Sequence, residues 1–472
     1  MYQKTKRDYT LEKIVRRFKE EVHRGRFEYW EGEELVTVIR HFETELEFNN
    51  ALRATKLGIE RFPYQVEFYL SQTRILLYTS KSDQALDVLE KAENVAPSLP
   101  EIRLLRSEIF SALGYYDRSL QIISSLKDEL IGYDRLELFI RESYIYESMK
   151  DFDSMFYSLK QALETDPDNN EALEQMWMSV ELSKRYVESV DLHTILVDKN
   201  PYSHLAWYNL GHAYSCLGEY NKAIEALEYS FIIRDDYEAG YMDCAELCFQ
   251  VKNYKKAFVI YEEANEHFGP DAELLVYMVE CLIPLKKYNK AKKYLLRALT
   301  IDPYNDEVHF YLGECHSAVG EWKEAVKAYN KAIKIEDRRE EYYGSLALAY
   351  EKCDNLKMAE YYYTKATSVG PEQNQSWINH ARFAYENQDA STAYEILKKA
   401  DLFAVGADLQ FCRAACLFAL DRKNEATDEL AEALQDDISW TGDFLNLYPD
   451  LKNNDHVMSM IRYYEGELNP KI

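Results

Sequence analysis

The chain has 472 residues, 47% of them hydrophobic, with a formal net charge of -26 at pH 7. Length and apolar content exclude a disordered chain, and the charge argues against a body that grips nucleic-acid phosphates or an anionic membrane face. Only 16 Gly and 11 Pro stand beside 39 Tyr, 20 Phe and 6 Trp, a balance that predicts helices joined by short turns.

Residues 1–31 are read as a basic N-terminal capping helix. Leu11, Ile14, Val15, Phe18 and Val22 share one helical stripe. The first 26 residues hold nine Lys or Arg against four acids, opposite in sign to the remainder. A basic amphipathic helix of this kind suits a cap on the first repeat, and it also suits contact with an anionic surface, RNA or the acidic groove of another copy. No apolar segment follows the basic start, and no run approaches the roughly 18 apolar residues of a membrane span, so a cytoplasmic location is expected.

Residues 32–440 repeat. The segment WYNLGHAYSCLGEYNKAIEALEYS, residues 207–230, places Trp207, Leu210, Gly211 and Tyr214, then Ala223, Leu227 and Ser230, at helical spacing on either side of a short break. The place of Ala223 is filled by Ala51, Ala85, Ser119, Met155, Ser189, Ala257, Ala291, Ala325, Ala359, Ala393 and Ala426. Successive members lie 34 residues apart, except for 36 between Ser119 and Met155 and 33 between Ala393 and Ala426. Twelve residues further on, six copies carry Pro63, Pro97, Pro167, Pro201, Pro303 and Pro371, a place suited to the first turn of the next helix. Twelve tandem units follow from this spacing. Trp177 fills the Gly place of its unit and predicts a splayed or repacked hairpin; the excess near residues 130–134 predicts a bend. Residues 441–472, with Phe444, Leu447, Leu451, Val457, Met460 and Ile461, are read as C-terminal capping helices and a tail.

This pattern resembles the tetratricopeptide repeat (TPR), with its Trp, Leu, Gly, Tyr, Ala, Phe, Ala and Pro at fixed places. The Trp place holds Leu35, Tyr69, Phe139, Trp207, Tyr241 and Trp377, and the Gly place Gly211, Ala245, Gly313, Ala347, Ala381 and Ala414. The phrasing NPYSHLAWYNLGHAYSCLGEY also resembles long cytoplasmic TPR proteins of Bacteroidota. The resemblance implies an all-α, right-handed solenoid of about twelve helical hairpins with capping helices at both ends. Because one hairpin buries too little alone, stacking supplies the core.

The repeats and caps fill the chain, so a catalytic domain has no room, and no phosphate-binding, zinc-protease or nucleophile-elbow motif is present. The expectation is a protein that is not an enzyme and takes no cofactor and no metal. DPDNNEALE, from Asp166, resembles a calcium loop only faintly, because Glu171 replaces the turn glycine and Trp177 stands where a bidentate Glu is needed. The eight cysteines, including the helical pairs Cys244/Cys248 and Cys412/Cys416, are read as reduced core thiols, and His309 and His316, at core places of one unit, as satisfied and partly buried histidines.

The resemblance further implies that the first helix of each hairpin lines a concave groove with its positions 2, 5, 9, 12 and 13. Acids dominate those places, and the cations there are Arg40, Arg74, Lys352 and Arg382. Part of this acidity is a column at helix starts, where carboxylates complement the macrodipole whatever the ligand. Met242, Val276 and Phe310 share one inward place and Glu246, Glu280 and Glu314 the next, a ladder that a Lys or Arg at every third residue of an extended peptide would meet. Met178, Tyr208, His212 and Phe249 complete the expected peptide-binding groove. The partner predicted is a basic and apolar peptide or protein segment, with no nucleic acid on the solenoid body. The Lys and Asn pair by which some chaperone-binding TPR domains clamp acidic tails is absent. Two other readings stay open: a regulatory or sensor subunit that changes curvature on ligand binding, and an enzyme whose site would show as a pocket of strongly shifted titratable groups.

Overall fold

The computed structural model describes residues 6–129 and 133–468; all regular structure among them is helical, without a strand. The chain divides into two compact units, one ending at Arg234 and the other beginning at Asp235. The first unit opens with α1 (Lys6–Arg24). Its hairpins are α2 (Gly32–Thr44) with α3 (Phe48–Arg61), α4 (Val66–Tyr78) with α5 (Ser82–Val95), α6 (Pro100–Ala112) with α7 (Tyr116–Glu129), α8 (Tyr133–Met149) with α9 (Phe152–Thr165), α10 (Asn170–Ser183) with α11 (Tyr186–Lys199), and α12 (His204–Cys216) with α13 (Tyr220–Ile233). The bend expected near residues 130–134 falls partly on residues 130–132, which lie outside the described residues.

In the second unit the hairpins are α14 (Glu238–Gln250) with α15 (Tyr254–Phe268), α16 (Ala272–Leu282) with α17 (Tyr288–Ile301), α18 (Asp306–Ala318) with α19 (Trp322–Ile335), α20 (Glu340–Lys352) with α21 (Leu356–Val369), α22 (Asn374–Asn387) with α23 (Ala390–Ala400), and α24 (Ala407–Ala419) with α25 (Lys423–Asp436). Two 3-10 turns, Ile438–Trp440 and Pro449–Asn453, flank α26 (Thr441–Leu447) and precede α27 (Asp455–Leu468). Within each unit a helix packs on those one or two places away along the chain, the nearest-neighbour arrangement of a solenoid.

Local chemistry explains where the helices start and turn. Asn169, Asn305 and Asp271 cap first helices, and Asp151, Asn253, Asn355 and Asp389 cap second ones, each accepting a backbone N–H of the first turn; such a cap contributes about 1 kcal/mol. Five residues before each Ala place the chain reverses. There Leu46, Ser80, Gly114, Lys150, Lys184, Gly218, Lys252, Lys286, Gly320, Asp354 and Asp421 all have φ between 56° and 80°. The corresponding Gln388 has φ -127°.

At Gly211 and Gly313 the small residue of the Gly place is a packing necessity. A Cβ on Gly211 would stand 2.7 Å from Leu227, and one on Gly313 2.3 Å from the Tyr329 ring, both on the partner helix of the hairpin. The repeat prolines are not where the sequence suggested. Pro63 and Pro201 lie in the turn, ahead of the helices that begin at Val66 and His204; Pro100, outside the repeat place, enters the first turn of α6. Their carbonyls serve as acceptors: Trp207 donates its indole N–H to Pro201 O at 2.9 Å, Trp377 to Pro371 O at 2.8 Å, and Tyr69 its hydroxyl to Pro63 O at 3.2 Å. At the same two places Tyr343 donates to Asp337 O at 3.1 Å. An aromatic polar hydrogen thus latches each of these turns to the helix that follows.

α1 lays Val15 and Phe18 on the first hairpin, where the Phe18 ring meets Phe27, Trp30 and Phe42 at centroid distances of 5.5 to 5.6 Å. Glu21 is buried beneath it and accepts from Trp30 Nε1 at 2.7 Å, Glu28 N at 3.1 Å and Arg17 Nε at 3.1 Å. Burial alone would raise its pKa; these donors outweigh burial and hold it below the usual carboxylate range. At the other end Phe444, Tyr448, Val457 and Ile461 pack on Leu430 and Leu434 of α25.

The hairpin carrying Trp177 is splayed. α10 packs mainly on α9 and α12 and touches its own partner α11 little. The indole that replaces the small residue turns outward, 45% exposed, with its ring edge on His212 at 6.4 Å. Asn209 of α12, buried, donates to Leu173 O of α10 at 2.8 Å and fastens the alternative pairing. The thiol expectation also changes. Cys216 is exposed and Cys353 half-buried, while the other six cysteines are buried. The histidines agree with the sequence: His309 is buried, and His316 is half-buried and meets Glu321 across a hairpin turn at 2.5 Å. The segment from Asp166 forms the turn between α9 and α10, where Asp168 accepts from Asn200 at 2.6 Å.

Candidate peptide-binding cleft

The predicted groove residues fall in both units. In the first unit Met178 lies half-buried on α10, and Tyr208 and His212 half-buried on α12. His212 does not face open solvent alone: its Nε2 stands 3.6 Å from a carboxylate oxygen of Glu181.

In the second unit the A-helix face is less uniform than a ladder. Val276 is 2% exposed and belongs to the hairpin core, so it offers a ligand no side-chain surface. Phe310 stacks on Tyr342 at 4.7 Å and packs with Tyr329. Of the three carboxylates only Glu246 is exposed, receiving a hydrogen bond from Gln250 Nε2 at 3.2 Å. Glu280 and Glu314 are half-buried and already engaged, Glu280 by the Tyr311 hydroxyl and Glu314 by the Tyr329 hydroxyl at 2.6 Å. The inward cations are engaged as well. Arg74 pairs with Glu101, and Arg382 with Glu351 at 3.1 Å.

What the structure does bring together is a cleft of about 390 Å³ between α14, α15 and α16, lined by Met242, Glu246, Phe249, Gln250, Tyr261, Tyr277 and Glu280. Four of these, Met242, Glu246, Phe249 and Glu280, were read from the sequence. Tyr261 and Tyr277 were not; they come from α15 and α16 and stack at 5.6 Å with 26° between their planes. Their sequence signal is weak because a tyrosine beside a buried Val276 reads as ordinary core. A second cleft of about 310 Å³ lies between α9 and α11, where Leu163, Leu192, Ile195 and Leu196 are joined by Lys160, Glu164, Glu188, Asp191 and Lys199.

Charge in the first cleft is one-sided. Burial raises the Glu280 carboxyl above its ordinary pKa; the Tyr311 hydrogen bond opposes this and the charge of Glu307 adds to it. Tyr277 is pushed up to about 12, first by donating to Glu273 and then by burial and the nearby Glu280 and Glu246. Tyr261 is pushed up by burial, Cys281 and Glu246. Glu280, Tyr261 and Tyr277 thus hold their protons more tightly than in water, through burial, hydrogen bonding and the negative charge of neighbouring groups.

The hairpins can now be set beside known proteins. Models of the tetratricopeptide repeat family match residues 196–225, 285–349 and 340–373. The TPR repeat-containing protein YpiA of Bacillus subtilis (strain 168) is 20% identical over 382 residues, covering 80% of this chain and 85% of that protein. Among solved structures, YrrB, titled a TPR protein with an unusual peptide-binding site, is 18% identical over 39% of this chain and 95% of its own, with a TM-score of 0.33. The APC/C hetero-tetramer Cut9-Hcn1 is 13% identical over 94% of this chain and 95% of its own, with a TM-score of 0.37. No helix among the described residues is long and apolar enough to cross a membrane. The matched segments fall on α11 to α13 and on α17 to α21, and the chain carries tetratricopeptide repeats there.

Proposed function

We propose that this protein is a non-enzymatic scaffold that binds segments of other proteins, and that in its second unit an extended basic and apolar peptide docks on the α14–α16 face. The observation that carries the reading is the cleft, which Glu246 and Glu280 line together with Tyr261, Tyr277, Phe249 and Met242. A lysine or arginine of the peptide inserts there, and neighbouring apolar residues lie on Met242 and Phe249. The shifted groups around the cleft are raised by burial between hairpins and by mutual charge. They bind a cation without offering a nucleophile and base in hydrogen-bond reach.

Fluorescence anisotropy of a labelled peptide with lysine at every third position between leucines and serines, titrated with the full-length protein, tests this. Affinity on the order of micromolar is expected, weakening as salt screens the carboxylates. Glu246→Lys, on an exposed position, should weaken binding at least tenfold. Undiminished affinity in that variant removes the cleft as the binding site.

A further inference from the structure

A second cluster of chemistry-bearing side chains lies in the first unit, away from the cleft. Glu181 from the last turn of α10 meets His212 and Cys216, one helical turn apart on α12, and their three ligand atoms all lie within 4.8 Å of one another. We propose that Glu181, His212 and Cys216 form a binding site for a divalent transition-metal ion, Zn²⁺ above all, which clips α10 to α12.

The donor geometry fits. His212 Nε2 and Cys216 Sγ stand 3.6 and 3.5 Å from the same Glu181 oxygen. Around a tetrahedral zinc, with ordinary Zn–N, Zn–O and Zn–S lengths, the N···O and S···O edges are about 3.4 and 3.6 Å. The ion therefore enters with side-chain adjustments of tenths of an ångström. One imidazole, one thiolate and one carboxylate make a borderline-soft set that suits zinc and leaves calcium and magnesium poorly served. Glu181 and His212 keep 45% and 25% of their side-chain surface exposed, which leaves an entry path and a fourth position for water or an outside ligand.

The location favours a cation too. Glu181 and Cys216 sit in the last turns of their helices, where exposed carbonyls carry partial negative charge and a carboxylate is unfavourable. A divalent ion relieves that. The site exists because Trp177 drives α10 away from α11 and onto α12, and the same indole borders His212. Tyr186, at the start of the displaced α11, hydrogen-bonds to Cys216 and supplies an outer partner to the sulfur. In the metal-free protein the thiol keeps its proton, which it shares with Glu181. On binding, the Sγ–H bond breaks, the proton passes to solvent, and both the sulfur and the freed carboxylate oxygen bond to the metal, so uptake releases one proton per ion and strengthens as pH rises.

Tag-free full-length protein, stripped of metal with a chelator, is titrated with Co²⁺ and then with Zn²⁺. The expected results are saturable binding of one ion with a thiolate-to-cobalt charge-transfer band, displacement by Zn²⁺, quenching of Trp177 fluorescence by Co²⁺, and a higher melting temperature with Zn²⁺. Cys216→Ser should abolish the charge-transfer band, and His212→Ala should weaken binding at least tenfold. Circular dichroism confirms that these surface variants fold. Absence of saturable binding, or equal affinity in Cys216→Ser, overturns the proposal.

Discussion

Tyr329 holds α18 at two adjacent residues: its ring lies where a methyl on Gly313 would have to go, 2.3 Å away, and its hydroxyl donates to Glu314 at 2.6 Å. The ring is 1% exposed and cannot swing aside. Gly313→Ala should therefore push α18 and α19 apart and cost about 2 kcal/mol, the scale of overpacking in a filled core. Hydrogen exchange should show the loss confined to these hairpins, although alanine stands at the same place as Ala347 in the next unit. A variant as stable as the parent would show that the hairpin yields.

The hairpin turns separate backbone strain from packing. Gly218 has φ 75° and a Cβ built there would touch nothing, so Gly218→Ala should cost about 1 kcal/mol through the backbone alone. Lys286 occupies the same place with φ 56°. Lys286→Gly should stabilise by up to about 1 kcal/mol, since glycine carries no left-handed penalty. Chemical denaturation of the two variants should move in opposite directions.

Glu351 and Arg382 are both largely buried, and two guanidinium nitrogens face the two carboxylate oxygens at 3.1 and 3.4 Å, with Tyr363 donating to Glu351 at 2.9 Å. Burial pulls the Glu351 pKa up, and the hydrogen bonds and charge of Arg382 together with Tyr363 overcome it, leaving it below the ordinary value. Its stabilising contribution is present above the unfolded carboxylate pKa and is lost as pH falls through the lower folded one. Arg382→Met should cost about 3 kcal/mol at neutral pH by stranding the carboxylate. In that variant the acid-side loss should vanish and stability should improve on acidification. An unchanged pH profile would count against the pairing.

His193, fully buried on α11, has its Nδ1 2.8 Å from Ser189 O and no partner for Nε2. Burial lowers its pKa to about 4, against a smaller opposing effect of the Ser189 carbonyl. Its neutral form is compatible with the fold, so stability is retained above pH about 6.5 and is lost between there and pH about 4, to roughly 3 kcal/mol. His193→Gln should flatten that slope in the first unit. A slope surviving the substitution would place its origin elsewhere.

The helical hairpins were legible because each core residue has its partners within one or two helices, so periodicity carries the packing directly. The turns were less so. Their left-handed residue shows plainly as Gly114, Gly218 and Gly320, whereas Leu46, Ser80 and Lys252 at the same place carry no compositional mark. The cleft was half visible: Met242, Glu246, Phe249 and Glu280 stand at inward places, but Tyr261 comes from a second helix whose inward exposure the repeat pattern does not encode. The metal cluster joins Glu181 to His212 across 31 positions, through a helix displaced by Trp177, while spacing alone directs attention to the buried pairs Cys244/Cys248 and Cys412/Cys416.

Packing between sequence neighbours also governs how such a chain acquires its structure. Contacts that close only short loops cost little chain entropy to form, so a hairpin can assemble early and template the next, and folding should be rapid for so long a polypeptide. The Trp177 hairpin, with its two helices scarcely touching, is then the natural interruption in that propagation. Growth arriving from either side should pause at α10 until α12 is ready to receive it.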